Sequence, residues 1–251
     1  MSTNEADLAW ASWLDHFRTN ASAPTPAQPS PEQHEPLVER ERQLIASSIA
    51  TFQLGESSDG KHLIRFAELA ASEYGVPELP EITACFVREE QLHARLLGAF
   101  MDAENIARLD HQWSDGVFRL LRRLGRFETS LSILVSAEVI GLVYYRALAK
   151  ATRSRWLQDI CERLIADERH HVRYEAAVLR LIRQRRSAIG RWCALAAHRT
   201  LFRGAVAVVF LGHHAVLRAG GLTPFAYVRE CEHEFGSLLS SPTRHGAEAS
   251  A

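Results

Sequence analysis

An all-α fold is predicted for this chain of 251 residues, and three observations predict it. Glycine and proline cluster at a few points and leave long runs free of both, which is the punctuation of helices rather than of a sheet. No segment alternates apolar and polar residues with the period of two that a half-buried strand requires. Two pairs of helical stretches, each closed by a short connection and joined by one long link, have the order of a four-helix bundle with a long crossover. Two further C-terminal helices and a tethered N-terminal helix complete the expected architecture.

The elements follow in chain order. ADLAWASWLDHFRTN sets Ala6, Trp10, Trp13 and Phe17 at helical spacing; the amphipathic helix they form packs back on the domain or on a second subunit, and attachment to a membrane surface is the alternative. The tract ASAPTPAQPSPEQHEP is too rich in proline to form a packed element and reads as a loose tether. A helix of unusual length is expected from Leu37 to about Ala71, ending near the Gly75-Val-Pro77 breaker, and a second from about Pro80 to Met101. The crossover from Asp102 to Phe127 carries a short helix capped by Ser114 and Asp115 and ending near Gly125. The third and fourth helices cover about Thr129 to Lys150 and Trp156 to Gln184, with ATRSR between them. A fifth runs from about Ser187 to Arg218 and a sixth from about Pro224 to Leu239. The domain plan is therefore residues 1–20 as an amphipathic helix, 21–36 as a Pro-rich linker, 37–184 as the bundle, 185–240 as additional helices and 241–251 as a disordered tail.

Composition narrows the function classes. The 29 basic residues nearly cancel the 30 acidic ones, so no summed field draws the protein to nucleic acid or anionic lipid. Cys85, Cys161, Cys193 and Cys231 form no C-x-x-C pair, which argues against a zinc ribbon or a rubredoxin-type iron site. MSTNEADLAW lacks the basic start and apolar stretch of a secretory signal, so a cytoplasmic protein is expected. The most apolar run, Gly204 to Leu217, is shorter than the roughly 20 residues of a bilayer span, so no transmembrane segment is expected. It reads as a buried or pocket-lining helix.

The apolar stripes carry the chemistry. On the fourth helix Leu157, Cys161, Leu164, Glu168, His171, Val178 and Ile182 follow spacings of three and four. A rival stripe through Asp167 and His170 contains Arg163, so Glu168 with His171 is the chosen inward pair, although Ile160, Tyr174 and Leu181 keep the rival register open. The second helix aligns Phe86, Val87, Glu90, His93, Leu97 and Met101, giving a second Glu-x-x-His. The first aligns Ile45, Ile49, Phe52, Glu56, Gly60 and Leu63, and the third Leu131, Leu134, Glu138, Leu142 and Tyr145. Each helix thus directs one carboxylate into the core.

Buried ionised carboxylates cost several kcal/mol each unless paired or bound to metal. No lysine or arginine lies on these stripes near the four carboxylates, so a pair of divalent cations is the economical counter-charge. Oxygen and imidazole donors without thiolate suit iron or manganese, or a mixed pair. Glu138 and Glu168 sit at one height, roughly 18 Å from the loop between their helices at about 1.5 Å per residue. The first hairpin does not level in this way, because Glu56 lies about 18 residues before Tyr74 and Glu90 only about 10 after Pro80.

Glu56, Glu90-x-x-His93, Glu138 and Glu168-x-x-His171 together resemble the ligand set of the ferritin-like di-iron carboxylate superfamily, over about residues 37–184. The resemblance implies a ferritin-like bundle and a di-metal centre with these six residues as ligands. The doublets Glu89-Glu90 and Asp167-Glu168 resemble those of acyl-carrier-protein desaturases, which implies that Asp167 orients His93 and Glu89 orients His171. It further implies an oxidoreductase that activates O2 to hydroxylate or desaturate an organic substrate, with an external electron donor or reductase. The two C-terminal helices favour this branch, and Val206, Val208, Val209, Phe210 and Leu211 are candidates for the wall of a pocket for a lipid-like substrate. The alternatives are a ferroxidase or peroxide-handling protein and a non-catalytic helical interaction module; a homodimer is compatible with each. His62, His111, His198, His213 and His214 read as solvated or core histidines, and Tyr145 lies two turns from Glu138 on the same stripe.

Overall fold

The structure, a computed structural model, describes residues 3–30, 32–110 and 127–240. All regular elements among the described residues are α-helices: α1 (Thr3–Asn20), α2 (Glu39–Glu56), α3 (Lys61–Tyr74), α4 (Leu79–Ala103), α5 (Phe127–Ala151), α6 (Arg155–Gln184), α7 (Ala188–Ala219) and α8 (Pro224–Ser240). The crossover helix expected around Ser114, Asp115 and Gly125, His111, and the tail 241–251 lie outside the described residues.

α2 and α3 pack on α4, α4 on α6, and α6 along α5. The ring closes where Phe52 of α2 stacks on Tyr144 of α5 with centroids 3.5 Å apart. α7 and α8 cover the outer side of α5. Gly220 allows that approach, since a Cβ there would lie 2.4 Å from the Ala147 carbonyl oxygen. Ser154 and Ser187 start α6 and α7 by accepting the amides of Leu157 and Gly190. Glu41 of α2 accepts from Thr152 Oγ1 and from the Arg153 amide, at 2.6 and 2.8 Å, and so anchors the α5–α6 connection.

The single long helix expected over 37–71 is two helices. α2 ends at Glu56 and α3 begins at Lys61, with Gly60 at φ +64° between them. The interruption lies in ESSDG, where Ser57 Oγ donates to the Leu54 carbonyl and Asp59 accepts the Lys61 amide. These polar side chains compete with the helical ladder and the glycine takes the left-handed turn. This break accounts for the mismatch in height, because four residues are spent on a turn instead of on rise. It places Gly60 directly against Val87, one turn before Glu90.

The N-terminal helix packs back on the domain. Trp10, Trp13 and Phe17 are buried, and Phe17 stacks on His171 at 5.9 Å between centroids. The tether contains no helix or strand among its described residues, but it is held: Pro24 and Asn20 carbonyls accept from Arg163, and His34 contacts Glu104 at 2.9 Å.

Two helices, α5 and α7, are long and apolar enough to cross a membrane by length and composition. In α5 the apolar window is 83% buried inside the protein, that of a core helix; in α7 it is 33% buried. The helix carrying Gly204–Leu217 is longer than that run, so the length of the run alone does not separate it from a span. Nor do its apolar residues share one wall: Val206 is buried while Leu211 is 74% exposed.

Candidate metal centre

Four helices deliver carboxylates to one level of the interior. Glu56 comes from the last residue of α2, Glu90 from α4, Glu138 from α5 and Glu168 from α6. Glu56, Glu138 and Glu168 retain 8, 5 and 0% exposure, and His93 and His171 are fully buried with ring centroids 5.5 Å apart. The i, i+3 spacing puts Glu90 with His93 and Glu168 with His171 on the inner faces of α4 and α6. Ligand atoms of these four residues all lie within 4.8 Å of one another.

Both central carboxylates approach both imidazoles. Glu90 Oε1 lies 3.6 Å from His93 Nδ1 and 3.0 Å from His171 Nδ1. Glu168 Oε1 is 3.3 Å from His93 Nδ1 and its Oε2 3.2 Å from His171 Nδ1. Glu56 flanks the His93 side, with Oε2 3.9 Å from Nδ1. Tyr145 donates its phenolic proton to the other oxygen of Glu56. Glu138 acts on Glu168, and each carboxylate shifts the other's proton affinity.

The outer nitrogens of the two rings are braced crosswise. Asp167 Oδ2 is 3.0 Å from His93 Nε2, and Glu89 Oε2 is 2.8 Å from His171 Nε2, the placement the resemblance implied. One residue back from each inner carboxylate is a rotation of about 100° around the helix, so each doublet turns one acid inward and the other toward the neighbouring helix. On α6, Glu168 and His171 lie in the cluster; of the rival pair Asp167 is buried behind His93, whereas His170 is half-buried and stacks on His16.

Three further side chains belong to this arrangement and were not among the sequence candidates. Asn20, at the end of α1, donates from one amide nitrogen to Glu89 Oε1 at 2.8 Å and to Asp167 Oδ1 at 2.9 Å. Arg163 donates to Asp167 Oδ2 at 2.7 Å. Glu175, only 1% exposed, continues the 168–171–175–178 stripe and acts electrostatically on Glu138. Its spacing was available in the sequence, one turn past His171; nothing local marked Asn20.

Replacing Asn20 with alanine is expected to weaken the affinity of the cluster for added divalent metal by about tenfold or more without abolishing binding, the usual cost of losing an outer partner of ligating groups. Chelator competition measures the affinity. Faster proteolysis within residues 21–36 should accompany it as α1 detaches.

Crowded charge displaces the acid constants. Burial, then repulsion from Glu56 and Glu168, pushes Glu90 up to about 8. Burial and the Glu168 and Glu90 carboxylates hold Glu138 well above the usual carboxylate range. Burial favours neutral imidazoles, but Asp167, Glu168 and Glu56 outweigh it at His93, and Glu168, Glu89 and Glu90 do so at His171, so both rings are raised. Asp167 moves the other way, to about 2: burial raises it, and His93, Arg163 and Asn20 more than compensate.

A carboxyl that binds its proton more tightly when folded contributes fully below its unfolded pKa, and the contribution is lost as pH rises through the folded value. For Glu90 that window is 4.5 to about 8, and the raised histidines add to the loss above 6.5. Asp167 contributes above 3.8 and is lost as pH falls toward about 2. The metal-free protein should therefore melt about 5–10 °C lower at pH 8 than at pH 5. Bound divalent metal competes with protons for the same atoms, so it should flatten or reverse that slope. Thermal melts with chelator and with metal check both statements.

The donor set fits a metal on a structural ground. Among the described residues, Glu90 Oε1, His93 Nδ1 and Glu168 Oε1 are buried without a hydrogen-bond partner, and all three converge on the cluster. The ion pairs of Glu90 and Glu168 are with histidine alone among the described residues. No cysteine takes part, which leaves a set of oxygen and imidazole donors that could hold a metal ion.

Comparison with family models, curated proteins and solved structures gives no match to this chain.

Proposed function

We propose that this chain is a di-iron oxidoreductase of ferritin-like architecture that activates dioxygen to oxidise an organic substrate. The observation that carries the reading is the convergence of ligand atoms of Glu90, His93, Glu168 and His171 within 4.8 Å of one another between four carboxylate-bearing helices, with Glu90 Oε1, His93 Nδ1 and Glu168 Oε1 buried and without a hydrogen-bond partner among the described residues. Glu56 and His93 would hold one ion and Glu138 and His171 the other. Glu90 and Glu168, each near both rings, would lie between them. Manganese or a mixed pair suits the same donors.

Two ferrous ions there would supply oxygen activation, and in a hydroxylation one oxygen atom enters a C–H bond while the other leaves as water with two electrons and two protons from an external donor. The protein's own contribution is positional. With metal bound, Asp167 and Glu89 would accept from the outer ring nitrogens and leave each Nδ1 lone pair to the metal. Asn20 holds both acids in place and Arg163 offsets the charge of Asp167. The Tyr145 hydroxyl fixes the orientation of Glu56. Phe17 and Phe86 pack against the His171 ring and keep bulk water from that side.

Anaerobic loading with Fe(II) should give about two ions per chain. Oxygen and reductant should then yield an oxidised product, detected by mass spectrometry of a lipid and small-metabolite extract. Mineral formation or peroxide turnover without an organic product would replace this reading with a ferroxidase or peroxide-handling one. A protein that binds neither iron nor manganese would point to an interaction module.

A further inference from the structure

A second feature of the interior lies one turn from the carboxylate cluster. A cavity of about 340 Å³ opens between α5, α6, α7 and α8. It is lined by the apolar Val135, Ala176, Leu179, Leu195 and Phe235 and by Arg180, Arg183 and Arg191; on α6, Arg180 and Arg183 lie C-terminal to Ala176 and Leu179, farther along the helix from Glu168. No aspartate or glutamate lines it among the described residues.

The guanidiniums are unevenly neutralised. Arg183 is paired with Glu128 and also donates to Ser132 Oγ. Arg180 makes one contact, from Nη1 to the Leu238 carbonyl at 3.1 Å, and its Nε is buried without a partner among the described residues. Arg191 donates to the Arg186 carbonyl. The nearby His198 is pushed down to about 4 by burial and by Arg183, so it is neutral at neutral pH. A buried donor with no acceptor is costly, and a planar guanidinium is the side chain best matched to a carboxylate.

We infer that this cavity takes an amphiphilic monocarboxylate, with its carboxylate at Arg180 and Arg191 and its hydrocarbon chain along Leu179, Leu195 and Phe235 toward Val135. At about 30 Å³ per water in the liquid, the space corresponds to roughly eleven waters, which suits an acid of about eight to ten carbons. Val135 is three residues before Glu138 on α5, about 4.5 Å along the axis, and Ala176 follows Glu175 on α6. The tail of such an acid therefore points at the carboxylate cluster and its head away from it. Resting on the oxidase reading above, this identifies the substrate class: a medium-chain carboxylic acid, hydroxylated near its tail, with O2 and two electrons from the external donor balanced by one water.

Calorimetry with octanoate and decanoate on the full-length protein, with and without metal, tests the site independently of turnover. Saturable one-to-one binding is expected. Arg180→Gln and Arg191→Gln should each raise Kd about tenfold or more, the scale of a lost charge-assisted hydrogen bond. Leu179→Trp, which fills the cavity, should abolish binding; octylamine, which keeps the chain and reverses the charge, should not bind. Absence of saturable binding, or a Kd unchanged in both arginine variants, overturns the inference. Iron content measured on the same samples reports on the oxidase reading separately. If the acid binds through the arginines, iron is loaded and no hydroxylated acid forms, the substrate assignment is overturned.

Discussion

Glu138→Gln is expected to lose one or both metal ions while leaving the metal-free protein as stable as before. Burial and the Glu168 and Glu90 carboxylates raise Glu138 well above the usual carboxylate range, which favours its protonated acid in the metal-free state. Glutamine has the shape of that protonated acid, so the metal-free melting temperature should move by less than about 2 °C, the shift for well under 1 kcal/mol in a chain of this size. Metal binding needs the ionised form, which glutamine cannot adopt. Affinity should fall by more than about 100-fold, beyond the range for an outer partner. Saturating metal stabilises by about 4 kcal/mol at 1,000 times Kd, so iron or manganese should raise the wild-type melting temperature by about 8–16 °C. That rise should vanish in the variant. Metal analysis, thermal melts and turnover settle it, and a variant that keeps full metal content and activity would remove Glu138 from the site.

Gly60→Ala is expected to be strongly destabilising, at about 2–5 kcal/mol. Two penalties add. The backbone at Gly60 has φ +64°, where a side chain costs about 1–2 kcal/mol. A Cβ would also lie 2.4 Å from Val87 Cγ2 and 2.5 Å from Cγ1, an overpacking of about 1–3 kcal/mol. The melting temperature should fall by about 5–15 °C, and metal affinity should fall with it, because the turn ending at Gly60 sets the height of Glu56. Gly55 provides the contrast. It lies within α2 with nothing within 4 Å of an added Cβ, so Gly55→Ala should stabilise by about 0.5–1 kcal/mol. Adding Val87→Ala to Gly60→Ala should relieve the clash but not the backbone strain, so part of the loss should remain. Denaturant or thermal melts of Gly60→Ala, Val87→Ala, the double variant and Gly55→Ala separate these contributions.

Much of the helical layout was legible in the residues themselves. The expected third and fourth helices, about 129–150 and 156–184, are found as Phe127–Ala151 and Arg155–Gln184. Their long periodic stripes make the assignment a local matter. The same stripes placed Glu168 and His171 on an inner face, yet they left Asp167 ambiguous. A stripe distinguishes core from solvent; Asp167 faces neither, being 3% exposed behind His93. Glu175 falls on the same stripe, but a lone carboxylate carries no apolar signal of burial. The break after Glu56 was signalled by Gly-Glu-Ser-Ser-Asp-Gly, but the periodicity resumes in α3 and conceals it.

By itself the sequence determined the helical class and the set of side chains on the inner faces, because periodicity and burial preference are properties of each segment alone. Tertiary packing decided the rest. It brought Asn20 onto Asp167 across 147 residues of chain, set Glu56 level with His93 by a turn against Val87, and gathered the arginines of α6 and α7 around one cavity. Those relations depend on how separate helices rotate and slide against one another, and the minimum is reached only when buried charges, donors and volumes on different helices are matched together.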